Sequence, residues 1–145
     1  ASDLKMHVSN AENKIRLYNE GFKGFTMTVE SIKSLNETSE LLTSKIKSYL
    51  DNGNFSKRKL SSLNKKLIAL EKSFISEKGM YFGSWYKSLY ASSDPFSGYA
   101  AWILPGLEYE ISLKSSKRLA EWDQRYSNAI SSLSQKMRQV IKDLN

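Results

Sequence analysis

Between about Asn10 and Leu50, the apolar positions Ile15, Tyr18, Phe22, Phe25, Val29 and Ile32 are separated by alternating steps of three and four. That spacing is one buried stripe on an α-helix. Leu35, Leu42, Ile46 and Tyr49 continue the stripe after a slip of phase at the polar run Asn36–Ser39. Gly21 and Gly24 each cost about 1 kcal/mol relative to Ala in a helix interior. They mark either a bend or a close approach of another backbone. Asp51-Asn52-Gly53-Asn54 is a strong turn signal. Beyond it, Ser56 is placed to cap a second helix in which Leu60, Leu63, Leu67, Leu70 and Phe74 recur at helical spacing. Gly79 interrupts that helix, and Trp85 and Leu89 predict that it resumes. Asp94-Pro95 reads as an N-cap followed by proline at the first helical position, so a short helix is expected there, ended by Pro105-Gly106.

The last stretch, from about Glu108 to Leu144, carries Leu119, Trp122, Tyr126, Ile130, Leu133, Met137 and Leu144 as a second long stripe. Its beginning is ambiguous, because Leu107, Tyr109, Ile111 and Leu113 alternate as a strand would. Leu4, Met6 and Val8 alternate too, as do Phe25, Met27 and Val29, so a small sheet is the alternative to an all-helical chain. The clear helical pattern past residue 116 favours helix. Three arms follow, at roughly 10–50, 57–92 and 108–144, each about 50–60 Å long at 1.5 Å per residue. The predicted fold is all-α: an antiparallel three-helix bundle of long helices in one domain, residues 1–145. A small appendage rich in aromatics, glycine and proline, at about 79–107, is inserted before the last helix. Leu60, Leu63, Leu67, Leu70, Leu119, Trp122, Ile130 and Leu133 are the expected core.

Charge and aromatic content give this rod two unlike poles. The formal net charge is +7. Between Lys45 and Lys66 the chain carries Lys45, Lys47, Lys57, Arg58, Lys59, Lys65 and Lys66 against Asp51 alone, and Lys136, Arg138 and Lys142 come to the same end, where the first turn meets the C-terminus. These residues are either a solvated end or a surface for an anionic partner. The other pole, expected to hold the N-terminus and the 93–107 connection, carries nine aromatics between 81 and 109, from Tyr81 and Phe82 to Tyr109. Trp102-Ile103-Leu104 there closes the end of the bundle core, is offered to a partner, or dips into a membrane interface. Phe96, Tyr99, Trp102, Ile103 and Leu104 are the candidate partner-binding residues, because exposed Trp and Tyr supply much binding energy at little entropic cost. Phe96, Tyr99 and Trp102, about three residues apart, would share one face of a helical turn.

Several chemistries are absent. The chain has no cysteine, which removes disulfides, thiolate metal sites and a cysteine nucleophile. His7 is the sole histidine, so neither a histidine-rich metal site nor a second imidazole is available. Glu108 and Glu110, near Trp102 and Tyr109, have the look of a glycosidase pair, but two glutamates near a helix start serve its electropositive end more simply. No enzyme, no cofactor and no nucleic-acid partner is expected, and no apolar run approaches the ~20 residues of a membrane span. Asn36-Glu37-Thr38 and Asn54-Phe55-Ser56 fit the N-glycosylation pattern. The chain opens at Ala1-Ser2-Asp3, as after cleavage of a leader or after trimming, and an extracytoplasmic location is the expectation.

In outline, the helix through Ile15–Tyr49, the insert at 79–106 and the closing helix through Trp122–Leu144 resemble the minor pilus subunits of bacterial type IV secretion systems. The resemblance is architectural. It implies an exported, non-enzymatic protein-interaction module of the bacterial envelope, part of a pilus or engaged in adhesion. The alternative is a small membrane-acting helical protein, such as a toxin, an immunity factor or a phage envelope protein, that binds anionic surfaces through the basic pole.

Overall fold

A computed structural model describes residues 1–53 and 56–144. Among the described residues the fold comprises five α-helices and one β-hairpin: α1 (Ser2–Arg16), α2 (Thr26–Asp51), α3 (Lys57–Ala69), β1 (Ala91–Ser93), β2 (Ala101–Ile103), α4 (Pro105–Ser112) and α5 (Leu119–Asp143), with a 3₁₀ turn at Glu71–Phe74. The expected three-helix bundle is therefore corrected to five helices and a two-stranded sheet. The longest arms, α2 with 26 residues and α5 with 25, reach only roughly 38 Å.

The first arm breaks because its turn is held from outside. Gly24 takes φ +101°, and the Glu12 carboxylate accepts the backbone N–H of Phe25 at 2.7 Å. The start of α2 has no cap from its own neighbours. Asp123 of α5 supplies it, accepting the Thr28 N–H at 2.8 Å and the Met27 N–H at 3.2 Å. The predicted stripe survives the break: Ile15, Phe25 and Ile32 are buried, and Tyr18, Phe22 and Val29 pack against the same core. With the break, α1 folds back, so that Ala1 lies beside Asn36 and Glu37 of α2. Contrary to the expectation, the N-terminus is thus not at the hairpin end. The last turn of α1 is there instead, through the Lys14–Glu108 ion pair at 2.7 Å.

α2 and α5 pack along their lengths and make the spine of the core. Ile32, Leu35 and Leu42 meet Trp122, Tyr126, Ile130, Met137 and Ile141 in one cluster. Small polar residues let the two backbones approach, with the hydroxyls of Ser31 and Ser127 sharing a hydrogen bond at 2.7 Å. Ser56 caps α3 as expected, accepting the Lys59 N–H at 3.2 Å. Of the expected core, Leu119, Trp122 and Ile130 are buried, but Leu60, Leu63, Leu67, Leu70 and Leu133 are only half-buried. α3 lies on the outside of α5 with no layer beyond it, which limits how far its leucines can sink.

The second arm does not resume after Gly79. Residues 75–90 form an irregular strap with isolated bridges Ile75↔Ser88 and Met80↔Gly83. The short helix expected from Asp94 to Pro105 is a hairpin instead, and Pro105 starts α4 rather than ending a helix. This suits proline, whose missing N–H costs nothing in a first helical turn. The alternating residues 107–113 are helical through Ser112, and the sheet forms at 91–93 and 101–103, outside every alternating stretch.

Candidate interaction surface

β1 and β2 pair antiparallel, with Ser92 opposite Trp102. The loop between them is organised by one side chain. The buried Asp94 carboxylate accepts the N–H groups of Phe96 (2.9 Å), Ser97 (2.6 Å) and Ala100 (3.0 Å), and the Ser97 hydroxyl at 2.5 Å. The Ser97 hydroxyl first, then these backbone donors, hold its carboxyl down at about 2, because each bond favours the charged form. Gly98 supplies the positive φ, +73°, that closes the turn. The proline and Ser-Gly of Asp94-Pro95-Phe96-Ser97-Gly98 are turn residues, a signal the helix reading passed over. An aspartate caps an Asx-type turn by the same chemistry as a helix.

Beneath the tip, rings pack edge to face. Phe96 lies 6.0 Å from Trp102 and stacks on Tyr109 at 6.3 Å. Phe82 meets Trp102 at 5.9 Å, Tyr109 at 5.2 Å and Tyr86 at 4.9 Å, and Tyr86 meets Trp85. Phe82, Tyr86 and Tyr109 were not among the candidates from the sequence. They form the base, with Phe82 and Tyr86 brought there by the folded strap and Tyr109 by α4. Among the other rings at this end, Tyr99 is 97% exposed, Trp85 74% and Phe96 67%. Three large rings therefore face solvent from an ordered support.

The five candidate residues divide. Phe96 and Tyr99 are open, and Trp102 and Ile103 are half-buried on β2. They do not share a helical face, since no helix forms there. Leu104 is buried in the bundle. It takes a left-handed conformation, φ 56° and ψ 60°, between β2 and α4, which costs roughly 1–2 kcal/mol for a residue with a Cβ. Its N–H donates to the Tyr90 carbonyl at 2.8 Å, and its carbonyl accepts from Leu107 and Glu108. Leu104 thus joins the hairpin to the bundle. Next to it, a Cβ on Gly106 would lie 2.5 Å from the Trp122 ring, so only glycine lets α4 seat on α5. The Gly106 N–H donates to the buried Tyr126 hydroxyl at 3.2 Å, and burial pushes that phenol's pKa up.

The two glutamates are used structurally. Glu108 pairs with Lys14, and the fully buried Glu110 accepts from Arg118 Nε at 2.6 Å. The Arg118 guanidinium lies over the Tyr81 ring at 4.3 Å. Burial first, and Glu110 second, raises the pKa of Tyr18. Among the described residues, no group of histidine and acidic side chains could hold a metal. His7 is half-buried on α1, and Asn36 is exposed on α2, donating to Glu40 at 2.7 Å. Asn54, of the second glycosylation pattern, lies outside the described residues.

At the other end of α5, Lys57, Arg58, Lys59, Lys65 and Lys66 lie along α3, and Lys45 and Lys47 on the last turns of α2. Lys66 pairs with Asp143 of α5, and Lys59 sits 5.8 Å over the Tyr49 ring. α4, which follows the hairpin, seats on Trp122 near the start of α5, and Lys66 of α3 pairs with Asp143 at its end, so the helix length separates two distinct surfaces. No helix among the described residues is long and apolar enough to cross a membrane.

The family model described as transferrin receptor-like dimerisation domain matches residues 23–138, from the turn before α2 to the last turns of α5. No curated protein and no solved structure matches the chain. The match overturns the resemblance to secretion-system pilus subunits, with the pilus and adhesion role it implied, and replaces the membrane-acting alternative. Long helices with an aromatic insert are a shape that unrelated families share, and fold-level likeness carries little functional information.

Proposed function

Because the chain belongs to the transferrin receptor-like dimerisation domain family, we propose that it is a self-association module, pairing two copies of the protein that carries it through the aromatic hairpin end. The domain is non-catalytic. The observation that carries the choice of surface is the exposure of Trp85, Phe96 and Tyr99, with Phe96 resting on Trp102 and Tyr109 and Trp85 on Tyr86. Three such rings per copy supply a large share of the roughly 800 Å² per partner that a stable interface buries. Their support is already ordered, so little entropy is lost on association.

Charge supports the same end. From 79 to 113 the chain carries one cation, Lys87, against Asp94, Glu108 and Glu110, whereas the far end is strongly basic. Two copies meeting hairpin to hairpin keep their basic ends apart, and the same patch on both copies closes the pair without growing a filament. Sedimentation equilibrium should give a dimer for the wild-type chain. The Phe96→Ala/Tyr99→Ala variant should be monomeric with an unchanged far-ultraviolet circular dichroism spectrum. A variant that stays dimeric places the contact elsewhere, and a monomeric wild type at high micromolar concentration removes the reading.

A further inference from the structure

The far end of the molecule presents a second surface with a different chemistry. Residues 56–70 carry five cations and no acid. The leucines of α3 lean on α5, so the opposite face is left to solvent. At 100° per residue that face holds Lys57, Arg58, Lys65 and Ile68, all exposed. None of the three cations has an ion-pair partner among the described residues. The first turn of α3 has no acidic residue; Lys57, Arg58 and Lys59 crowd the end of the helix whose dipole is already positive, an arrangement unfavourable to the isolated domain. On one flank, a cavity of about 230 Å³ opens between α2, α3 and α5, with Leu63, Leu144 and Tyr49 lining it beside Lys59, Lys66 and Asp143.

We propose that this basic end docks an acidic, amphipathic segment of a second protein. An apolar side chain of that segment fills the cavity, and its carboxylates lie over Lys57, Arg58 and Lys65. Charge complementarity sets the sign of the partner. The cavity and Ile68 set its kind, because an apolar anchor is something a phosphate backbone does not offer. Tyr49, the aromatic ring that lines the cavity, already lies under Lys59, so it is no stacking platform for bases. A second copy of the chain, itself at +7, is the wrong sign. This surface is independent of the hairpin end and does not rest on the dimer.

The test is fluorescence anisotropy with a labelled peptide in which glutamates are interspersed with leucines. Polyglutamate, heparin and phosphatidylserine vesicles serve as competing probes. The Glu/Leu peptide should bind best. Its affinity should fall by about tenfold or more in Lys57→Glu/Arg58→Glu/Lys65→Glu, and steeply with salt. The charge-matched control Lys5→Glu/Lys23→Glu/Lys33→Glu, on exposed positions of other faces, should keep its affinity. Leu144→Ser should weaken the peptide and leave polyglutamate unchanged. Equal loss in the control overturns the proposal, as does any of the three competing probes binding as tightly as the peptide.

Discussion

Asp94 shows how one carboxylate sets a local structure and its pH dependence. Four donors converge on it, and its pKa is lowered from the ordinary 3.8 to about 2 in the fold. A lowered folded-state pKa means that the unfolded chain binds the proton more readily. The contribution of Asp94 is therefore complete above about pH 4 and is lost as pH falls through about 2. Amide exchange at Ser97 and Ala100 should quicken over that window in the wild type, while the helices stay protected. In Asp94→Ala the same amides should exchange fast at every pH. Slow exchange in that variant would mean that the ring stack, not the carboxylate, orders the tip.

At the scale of elements, the start of α2 is decided by a residue from the far end of the chain. Asp123 accepts the Met27 and Thr28 N–H groups, and the Asp123 carbonyl accepts the Thr28 hydroxyl at 3.1 Å. A negative side chain is favourable at a helix N-terminus on both hydrogen-bonding and dipole grounds. Asp123→Ala should cost roughly 1–2 kcal/mol in urea unfolding, with faster exchange at Met27 and Thr28 than elsewhere in α2. A loss spread evenly over α2 and α5 would instead mark Asp123 as a packing residue. The same contact explains why the first arm could not stay continuous: a helix running through residue 25 would hold those N–H groups in its own ladder.

For the whole molecule, the separation of aromatic and basic ends along α5 predicts two different responses to salt. Self-association through neutral rings should hold or strengthen as salt rises, since screening acts on the repulsion between two +7 chains and leaves apolar contact in place. The dimer dissociation constant, measured by sedimentation between low and moderate ionic strength, checks this. A constant that rises steeply with salt would point to a charged interface away from the hairpin.

The sequence by itself determined the apolar stripes of the long helices, the Ser56 cap, the absence of cysteine chemistry and the uneven distribution of charge and aromatics. Each of these is a matter of local periodicity or composition. It did not determine where the helices break. The turn before α2 depends on Glu12 and Asp123, and the seat of α4 depends on Gly106 meeting Trp122. Such contacts join residues from 13 to 95 positions apart, and no local period records them. Helical steps of three and four also persist through a break when the flanking turn buries the same side, which is why Tyr18, Phe22 and Phe25 read as helix. The hairpin was hidden for a related reason, because Asp-Pro begins a turn and a helix alike. Which aromatics face solvent was decided last, by the strap that carries Phe82 under Trp102 and leaves Tyr99 and Phe96 uncovered.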